Sequence, residues 1–265
     1  MSTASAMARR VPGLREVVGA IAGREIRLAS RRRLVRSLFV LSLLPLVVFA
    51  LVLVIGAASE ATFGTRLDWD PVAKFLGVQA FPVALLALGL GTPIVALDRA
   101  EDVLFLYATR PVRPIHYALG KLLAVALPCT ALLLGPGVIM AGLRLGILTR
   151  VGPTDTLVVV AKVAVASLLI GWGYAGLTVA ASALTRRARW SLMLAVAVLL
   201  FPDTAAAILR LKLAIGPGKA VSSVLDALFA GGESGAGLWG ACLLVLLGSC
   251  GSAILLWRAR REMTP

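Results

Sequence analysis

Uncharged stretches of membrane-spanning length dominate this 265-residue chain, in which 59% of the residues are hydrophobic. A helix needs about 20 consecutive apolar residues to cross the hydrocarbon core of a bilayer. Six stretches are long enough or nearly so, and one of them is interrupted by Asp203. They are Ser37–Ser59, Phe75–Leu97, Leu122–Leu143, Val163–Thr185, Trp190–Leu209 and Ser234–Trp257. The sequence therefore predicts an all-α polytopic membrane protein, with residues 1–265 forming a single transmembrane domain.

Positive charge is distributed unevenly between the two sets of loops. Of the 27 Lys and Arg residues, 19 flank the span ends on the side of both termini, and eight flank the other ends. Lys and Arg near the spans collect on the cytoplasmic side of a membrane. Both termini are therefore predicted to be cytoplasmic. The net charge of +14 is also typical of nucleic-acid binding, but basic residues at span ends set topology and meet anionic lipid, so no nucleic-acid partner is expected.

The segment before the first span, residues 13–33, is predicted to be an interfacial helix. Its apolar residues recur at helical spacing, and most of its arginines fall elsewhere: Leu14, Val17, Val18, Ile21 and Leu28 form the stripe. A basic amphipathic helix of this kind lies in the membrane interface rather than crossing it. The pattern leaves open whether the helix rests on lipid or contacts a specific partner.

The most distinctive cytoplasmic connection, residues 98–121, joins the second and third stretches. Charged residues come first, the apolar turn Val103–Tyr107 follows, and Pro111 and Pro114 end any helix before the next span. A short helix with an apolar and a charged face can sit in a groove of a soluble protein. This segment is therefore a candidate docking site.

The connection between the last two stretches, residues 210–233, carries a second amphipathic pattern. Its apolar residues follow the spacing i, i+3, i+4, i+7, i+8: Val221, Val224, Leu225, Leu228 and Phe229. This spacing predicts a short helix over Lys219–Ala230. We expect the helix at the outer interface, or dipping back into the membrane under the protection of protein. Because its apolar stripe has no soluble partner in the chain, it should face lipid or cap the outer end of a route, and Asp203, Leu225 and Phe229 are candidate gate residues.

One glycine motif suggests a cofactor that the surrounding sequence argues against. Gly171-Trp-Gly173-Tyr-Ala-Gly176 matches the dinucleotide-binding pattern G-x-G-x-x-G. That pattern requires a preceding strand, a helix that opens at it and an acid about 20 residues later. Here it lies inside an uncharged run of spanning length, so close packing between membrane helices explains the glycines better.

The chain lacks the residues for its own nucleotide or metal chemistry. It contains no G-x-x-x-x-G-K-[S/T] motif, so it is not expected to bind ATP or to be an enzyme. Three cysteines within apolar stretches and a lone histidine, His116, predict no metal site and no disulfide framework.

Ionisable residues at membrane depth are few. Lys162 and Asp203 are predicted near the outer ends of their spans, whereas ion-driven carriers usually need such a group at mid-membrane. The energy for transport is therefore expected from a partner that hydrolyses nucleotide.

The arrangement of the spans resembles that of the permeases of type-2 ABC exporters. Six spans in about 260 residues, both ends inside and an interfacial helix first are shared features. Arg24-Glu25-Ile26-Arg27 and Arg31 are similar to the family's charged Lys/Arg-Glu-x-Arg segment before the first span.

The connection after the second stretch carries the rest of the resemblance. Glu101 through Lys121, with Leu104, Arg110-Pro111 and Gly120-Lys121, resembles the family's acid, apolar helix, proline turn and Gly-Lys leading into the third span. The segment after the fifth stretch is similar to its short outer or re-entrant helices.

The resemblance implies a subunit of an ATP-driven exporter in a bacterial cytoplasmic (inner) membrane. Two such permeases, identical or homologous, would form an outward route and pair with separate cytoplasmic ABC ATPase subunits. ATP and Mg²⁺ would bind to those ATPases, and this chain would bind no cofactor directly. The lipid bilayer and a periplasmic or envelope protein are further candidate partners.

Roles for individual residues follow from the resemblance together with the docking argument. Contact with the ATPase is expected from Arg99, Glu101, Asp102, Val103, Leu104, Leu106, Tyr107 and Arg110. Glu25, Arg27 and Arg31 would belong to the interfacial helix. Two other classes stay open: a non-transporting anchor or assembly subunit of an envelope complex, and an ion-coupled carrier.

Overall fold

Six helical segments long and apolar enough to cross a membrane make up most of the protein. The structure, a computed structural model, describes residues 13–63, 71–101, 103, 113–147, 152–210, 213–231 and 234–263, and no strand occurs among them. The segments, numbered here as spans 1 to 6, are Val35–Glu60, Pro71–Ala100, Pro114–Ile147, Pro153–Leu184, Ala188–Ile208 and Ser234–Met263. The all-helical prediction and the six candidate spans are confirmed for these residues, while the orientation of the bundle in a membrane stays a prediction.

Shorter helices flank and interrupt the spans. A first helix, α1, covers Leu14–Ser30 within the segment predicted to be helical, and its position at a membrane interface stays a prediction. Span 1 is built from Arg33–Leu41 and Leu44–Phe63, and span 2 from Pro71–Ile94 and Ala96–Ala100. Between spans 5 and 6 lies a short helix, Pro217–Leu225, that continues as a π-helical turn, Asp226–Ala230. We call Pro217–Leu225 the loop helix.

Span 2 occupies the centre of the bundle. Of its most apolar 18 residues, 72% are buried inside the protein, against 11% in span 1. Spans 3 and 4 pack against span 2, and span 6 packs against span 4. Span 1 lies outside, where Phe49 meets Phe75 of span 2 edge to face at 5.8 Å between ring centroids. Spans 1 and 5 therefore present most of their apolar surface outward.

The helix of span 3 is longer than its apolar stretch predicts. It begins at Pro114 and runs for 34 residues, about 51 Å at 1.5 Å per residue. Pro114 starts the helix because the first helical position needs no N–H donor and suits the fixed φ of proline. Lys121 consequently lies inside the helix, near the end of the bundle that also holds α1.

The glycines of the rejected cofactor motif are packing residues, as the sequence predicted. A Cβ at Gly176 in span 4 would lie 2.8 Å from the carbonyl oxygen of Gly248 in span 6. A Cβ at Gly251 would lie 2.7 Å from Gly176 Cα, and one at Gly171 would collide with Thr130 of span 3. Small residues thus let span 4 approach two neighbouring spans at backbone distance.

The loop helix differs in its limits and surroundings from the predicted Lys219–Ala230. It begins two residues earlier because Pro217 suits the first helical position and Asp203 accepts the free main-chain N–H groups of Gly218 and Lys219, at 2.7 and 3.1 Å. Ala220, Val221, Val224 and Leu225 of its apolar stripe are buried, and the helix packs mainly on span 6. These side chains pack within the chain rather than facing lipid.

Replacing Gly176 with leucine should destabilise the protein, because the added side chain must push two helix backbones apart. Overpacking of this kind costs about 1–3 kcal/mol or more. We expect a lower thermal unfolding temperature for Gly176→Leu in detergent. Gly135→Leu is the matched control, since Gly135 lies in span 3 with open space where its Cβ would be, and it should unfold like the unsubstituted protein. Equal unfolding temperatures for both variants would contradict the packing role.

Candidate functional site

A side chain from span 4 stabilises a break in the helix of span 2. The helix stops at Ile94 and resumes at Ala96. The fully buried Ser182 Oγ accepts hydrogen bonds from the main-chain N of Val95 and Ala96, at 3.0 and 2.9 Å, and donates one to Thr92 O at 2.8 Å. The main-chain N–H and C=O groups that lose their helical partners at the break are therefore hydrogen-bonded to Ser182, as buried main-chain groups need to be. The break sets the direction of the charged turn that follows it.

The ammonium group of Lys121 is the centre of a first cluster of polar contacts beside the break in span 2. The Lys121 side chain is only 1% exposed. Its ammonium nitrogen lies 2.7 Å from Asp98 Oδ2 and 2.9 Å from Glu25 Oε1. It also donates to Ile94 O, at the helix break, at 3.0 Å. The Tyr117 hydroxyl donates to Asp98 Oδ2 at 2.9 Å, and its ring centroid lies 5.5 Å from the ammonium nitrogen. The three donors of a lysine ammonium therefore face three oxygens from α1 and span 2.

Arg99 follows Asp98 in the chain, points away from Lys121 and contacts spans 4 and 6. Its Nη2 lies 2.9 Å from Glu262 Oε1, and its Nε donates to Glu262 Oε2 at 3.2 Å. Its Nη1 donates to Ala183 O and Thr185 O at 3.0 and 2.9 Å. Arg258 Nε lies 2.9 Å from Glu262 Oε1 as an ion pair without hydrogen-bond alignment.

These two clusters form one charge network joined by the Asp98-Arg99 peptide. The network consists of Glu25, Asp98, Arg99, Lys121, Arg258 and Glu262. The Lys121 cluster has a formal charge of −1 and the Arg99 cluster +1, so the network is neutral overall. Buried ion pairs add little net stability but cost several kcal/mol when one partner is removed. The network therefore specifies how α1 and spans 2, 3, 4 and 6 sit relative to one another.

A glycine next to Lys121 allows α1 to approach. A Cβ at Gly120 would lie 2.6 Å from Ile21 Cγ2, so α1 rests directly on the backbone of span 3. Val18, Ile21 and Ala22 of α1 are buried in this contact region. Of the apolar stripe predicted for α1, this part packs on the protein, while Leu14 and Leu28 stay exposed.

The residues predicted to contact an ATPase do not share one environment. Arg99 is buried in the network, Glu101 is exposed and Val103 is half-buried. The others, Asp102, Leu104, Leu106, Tyr107 and Arg110, lie outside the described residues. Since Glu262 holds the Arg99 guanidinium, Arg99 acts inside the chain and is not an exposed contact for another protein.

The three residues assigned to the interfacial helix are also divided. Glu25 points to Lys121, whereas Arg27 and Arg31 are exposed. Arg27 Nε donates to Gly23 O at 3.2 Å, and Arg36 Nη2 donates across the joint between α1 and span 1 to Arg31 O at 3.1 Å.

The candidate gate residues lie at the opposite end of the bundle and have different surroundings. Asp203 holds the start of the loop helix and lines a cleft of about 260 Å³ together with Phe81, Tyr174 and Leu200. Leu225 is buried, so a charge placed there is expected to disturb packing rather than to test a gate. Phe229 is half-buried, with its ring centroid 5.8 Å from Lys162 Nζ.

Four network residues were absent from the predicted site residues, as was Tyr117, which donates to one of them: Asp98, Lys121, Arg258 and Glu262. Gly120-Lys121 belongs to the segment that resembles the exporter permeases, but the sequence predicted no partner for the Lys121 ammonium group. One local signal was available, because a lysine at the start of an apolar run must find oxygens or reach water. The identity of its partners depends on contacts between distant parts of the chain.

The fold and this site define a six-span α-helical membrane protein with a buried charge network at the end of the bundle where α1 lies. No family model matches the chain, and no curated protein matches it.

Removing the Lys121 ammonium should destabilise the α1 end of the bundle, because Glu25 and Asp98 would lose their common counter-charge. Breaking a buried pair costs about 3–5 kcal/mol, and the 17–18% exposure of the two carboxylate side chains places the effect near the lower end. We expect Lys121→Met to lower the thermal unfolding temperature in detergent. Lys162→Met, a lysine of span 4 outside the network, is the control. A Lys121→Met protein that unfolds no earlier than this control would show that the network is not structurally required.

Proposed function

We propose that the protein is the permease subunit of an ATP-driven exporter that works as a dimer of permeases with separate ATPase subunits in the cytoplasm. The observation that carries the proposal is the charge network. It ties α1 to the ends of spans 2, 3, 4 and 6, and its residues Asp98, Arg99 and Lys121 lie on the two sides of the connection between spans 2 and 3. These two segments are the ones that resemble the coupling regions of type-2 ABC exporter permeases.

The network supports the proposal because it can transmit displacement. Residues 102–113 begin three positions after Arg99 in the chain, and Lys121 lies near the start of the next span. A partner that moves this connection would displace both clusters, since separating their charges is costly. If the partner binds one arrangement of the spans more tightly when it holds ATP, nucleotide binding shifts the population toward that arrangement.

The source of energy follows from what the sequence provides. The chain has no phosphate-binding loop of its own, so ATP and Mg²⁺ belong to the partner. Lys162 and Asp203, the candidate intramembrane charges, are engaged with Phe229 and with the loop helix. An ion-coupled carrier is therefore the weaker alternative, because such carriers use ionisable groups that bind and release their ion.

The outward surfaces of spans 1 and 5 are consistent with a second permease. Large apolar side chains of span 5, including Met193, Leu200 and Phe201, are exposed in the single chain. Lipid covers such surfaces in part, and a second copy would cover the rest. In the proposed orientation, the charge network and both termini face the cytoplasm, in keeping with the bias of Lys and Arg.

Replacing Leu104 with aspartate should release the ATPase while leaving the permease in the membrane. Each apolar side chain that is fully buried at an interface contributes about 1.5–3 kcal/mol, and a charge at the centre of that surface reverses the gain. The measurement is copurification of nucleotide-hydrolysing subunits with the tagged chain from native membranes. Leu213→Asp is the matched control, because it places the same charge on an exposed leucine at the opposite end of the bundle.

Three results separate the candidate functions. Loss of the ATPase from Leu104→Asp but not from Leu213→Asp supports the exporter. An intact copurified ATPase complex without flux of any substrate would favour an anchor or assembly subunit. Absence of any nucleotide-hydrolysing partner in the unsubstituted preparation would contradict the exporter and leave the carrier.

A further inference from the structure

A cleft beside the charge network combines a positively charged rim with an apolar wall. It lies between α1, the end of span 2 and span 3, and has a volume of about 180 Å³. Leu28 on α1 and Ile94 and Leu97 on span 2 line the apolar wall, and Arg24 and Arg32 line the rim.

The guanidinium groups of the two rim arginines take no part in the charge network's ion pairs among the described residues. Both are exposed, and within the part of the chain that the structure describes neither has a hydrogen-bond or ion-pair partner. Arg24 and Arg32 stand eight residues apart across the end of α1, on the two sides of Leu28. Guanidinium groups of this kind bind phosphate through paired N–H donors.

Acids also line the cleft. Glu25 and Asp98 lie on its wall and are held by Lys121, at 2.9 and 2.7 Å, so these three residues together carry a formal charge of −1. Glu101, which directly follows span 2, is a further acid of the lining. Beside Arg24 and Arg32, four more arginines between residues 27 and 36 are exposed: Arg27, Arg31, Arg33 and Arg36. Because these six arginines outnumber the negative charges, the region around the rim is positive.

The apolar wall continues onto the outer surface of the bundle. Leu28 is 47% exposed and Leu97 38% exposed, whereas Ile94 beneath them is buried. A ligand that fits this shape carries a phosphate at one end and a hydrocarbon chain at the other. The volume admits the phosphate and the glycerol end of such a molecule, while its chains would lie along the exposed leucines.

We propose that this cleft binds one anionic phospholipid from the surrounding leaflet, with its phosphate between Arg24 and Arg32 and an acyl chain along Leu28 and Leu97. The bound lipid would hold α1 against span 2. A soluble acidic partner would need the rim alone, whereas the continuous apolar wall favours lipid. The proposal does not depend on the exporter function, because it requires only a membrane.

The experiment measures lipids retained by the purified full-length chain. Native mass spectrometry of the protein in detergent, with equal amounts of phosphatidylglycerol, phosphatidylethanolamine and phosphatidylcholine added, counts each class. We expect one phosphatidylglycerol per chain in preference to the other two. Each basic residue near an anionic lipid surface contributes about 1 kcal/mol, so Arg24→Gln with Arg32→Gln should weaken retention about thirtyfold.

A matched pair separates the cleft from general electrostatic attraction. Arg27→Gln with Arg33→Gln removes the same charge from the same region but leaves the cleft rim intact, and it should retain phosphatidylglycerol normally. Equal losses in the two double variants would overturn the site in favour of diffuse attraction. Equal retention of phosphatidylethanolamine or phosphatidylcholine by the unsubstituted chain would overturn the anionic preference.

A third variant tests the apolar part. Ala29, another cleft residue on α1, can be replaced by tryptophan to fill the space while both rim arginines stay. Ala29→Trp should lose the lipid with an unchanged thermal unfolding temperature measured without lipid. Retention in this variant, or displacement of lipid from the unsubstituted chain by millimolar inorganic phosphate, would show that the arginines bind phosphate without the cleft and would overturn the proposal.

Discussion

The buried ammonium of Lys121 constrains the end of the bundle at which α1 lies. A charge so little exposed must be surrounded by oxygens, because an unpaired buried cation is too costly to persist. The three oxygens come from α1, from the last helical turn of span 2 and from the main chain at the break in span 2. Satisfying one side chain thus requires that α1 lie on span 3, that span 2 break at Ile94 and that Asp98 turn toward α1. Gly120 makes this arrangement possible by giving α1 room.

The neighbouring Arg99 extends this constraint across the bundle. It satisfies two main-chain carbonyls at the end of span 4 and pairs with Glu262 at the end of span 6. Because Asp98 and Arg99 share a peptide bond, neither cluster can shift without affecting the other. This arrangement offers specificity rather than stability, since buried ion pairs are hardly better than apolar packing. An end of a bundle that is specified in this way can move as a unit when a partner acts on it, which is the basis of the proposed coupling.

Features that depend on local composition could be predicted from the sequence. The six spans follow from uncharged runs of sufficient length, and the glycines of span 4 follow from their place inside such a run. Helix limits were less accurate where proline decides them: Pro114 begins its helix eight residues before the predicted apolar stretch, and Pro217 begins its helix two residues before the predicted Lys219. Both prolines act by suiting the first helical position, which an apolar periodicity does not register.

The charge network could not be predicted, because its pairs join residues far apart in the chain. Glu25 and Lys121 are each recognisable as unusual, but no spacing rule connects them, and Arg99 looks like an ordinary loop residue available to a partner. Leu225 shows the same limit, since an amphipathic stripe has the same sequence pattern whether it faces lipid or its own spans. Burial and pairing are decided by tertiary packing, which the periodicity of a single helix does not contain.

Hydrogen exchange in the Arg99→Met protein tests most directly whether the two clusters act as one. None of the hydrogen bonds or ion pairs that Arg99 makes among the described residues reaches α1. The shortest route from Arg99 to α1 runs through the Asp98-Arg99 peptide and Lys121. The account predicts faster amide exchange over residues 14–30 as well as at 183–185 and 258–263, relative to the unsubstituted protein and to Arg189→Met, which lies outside the network. Faster exchange confined to 183–185 and 258–263, with residues 14–30 unchanged, would contradict it.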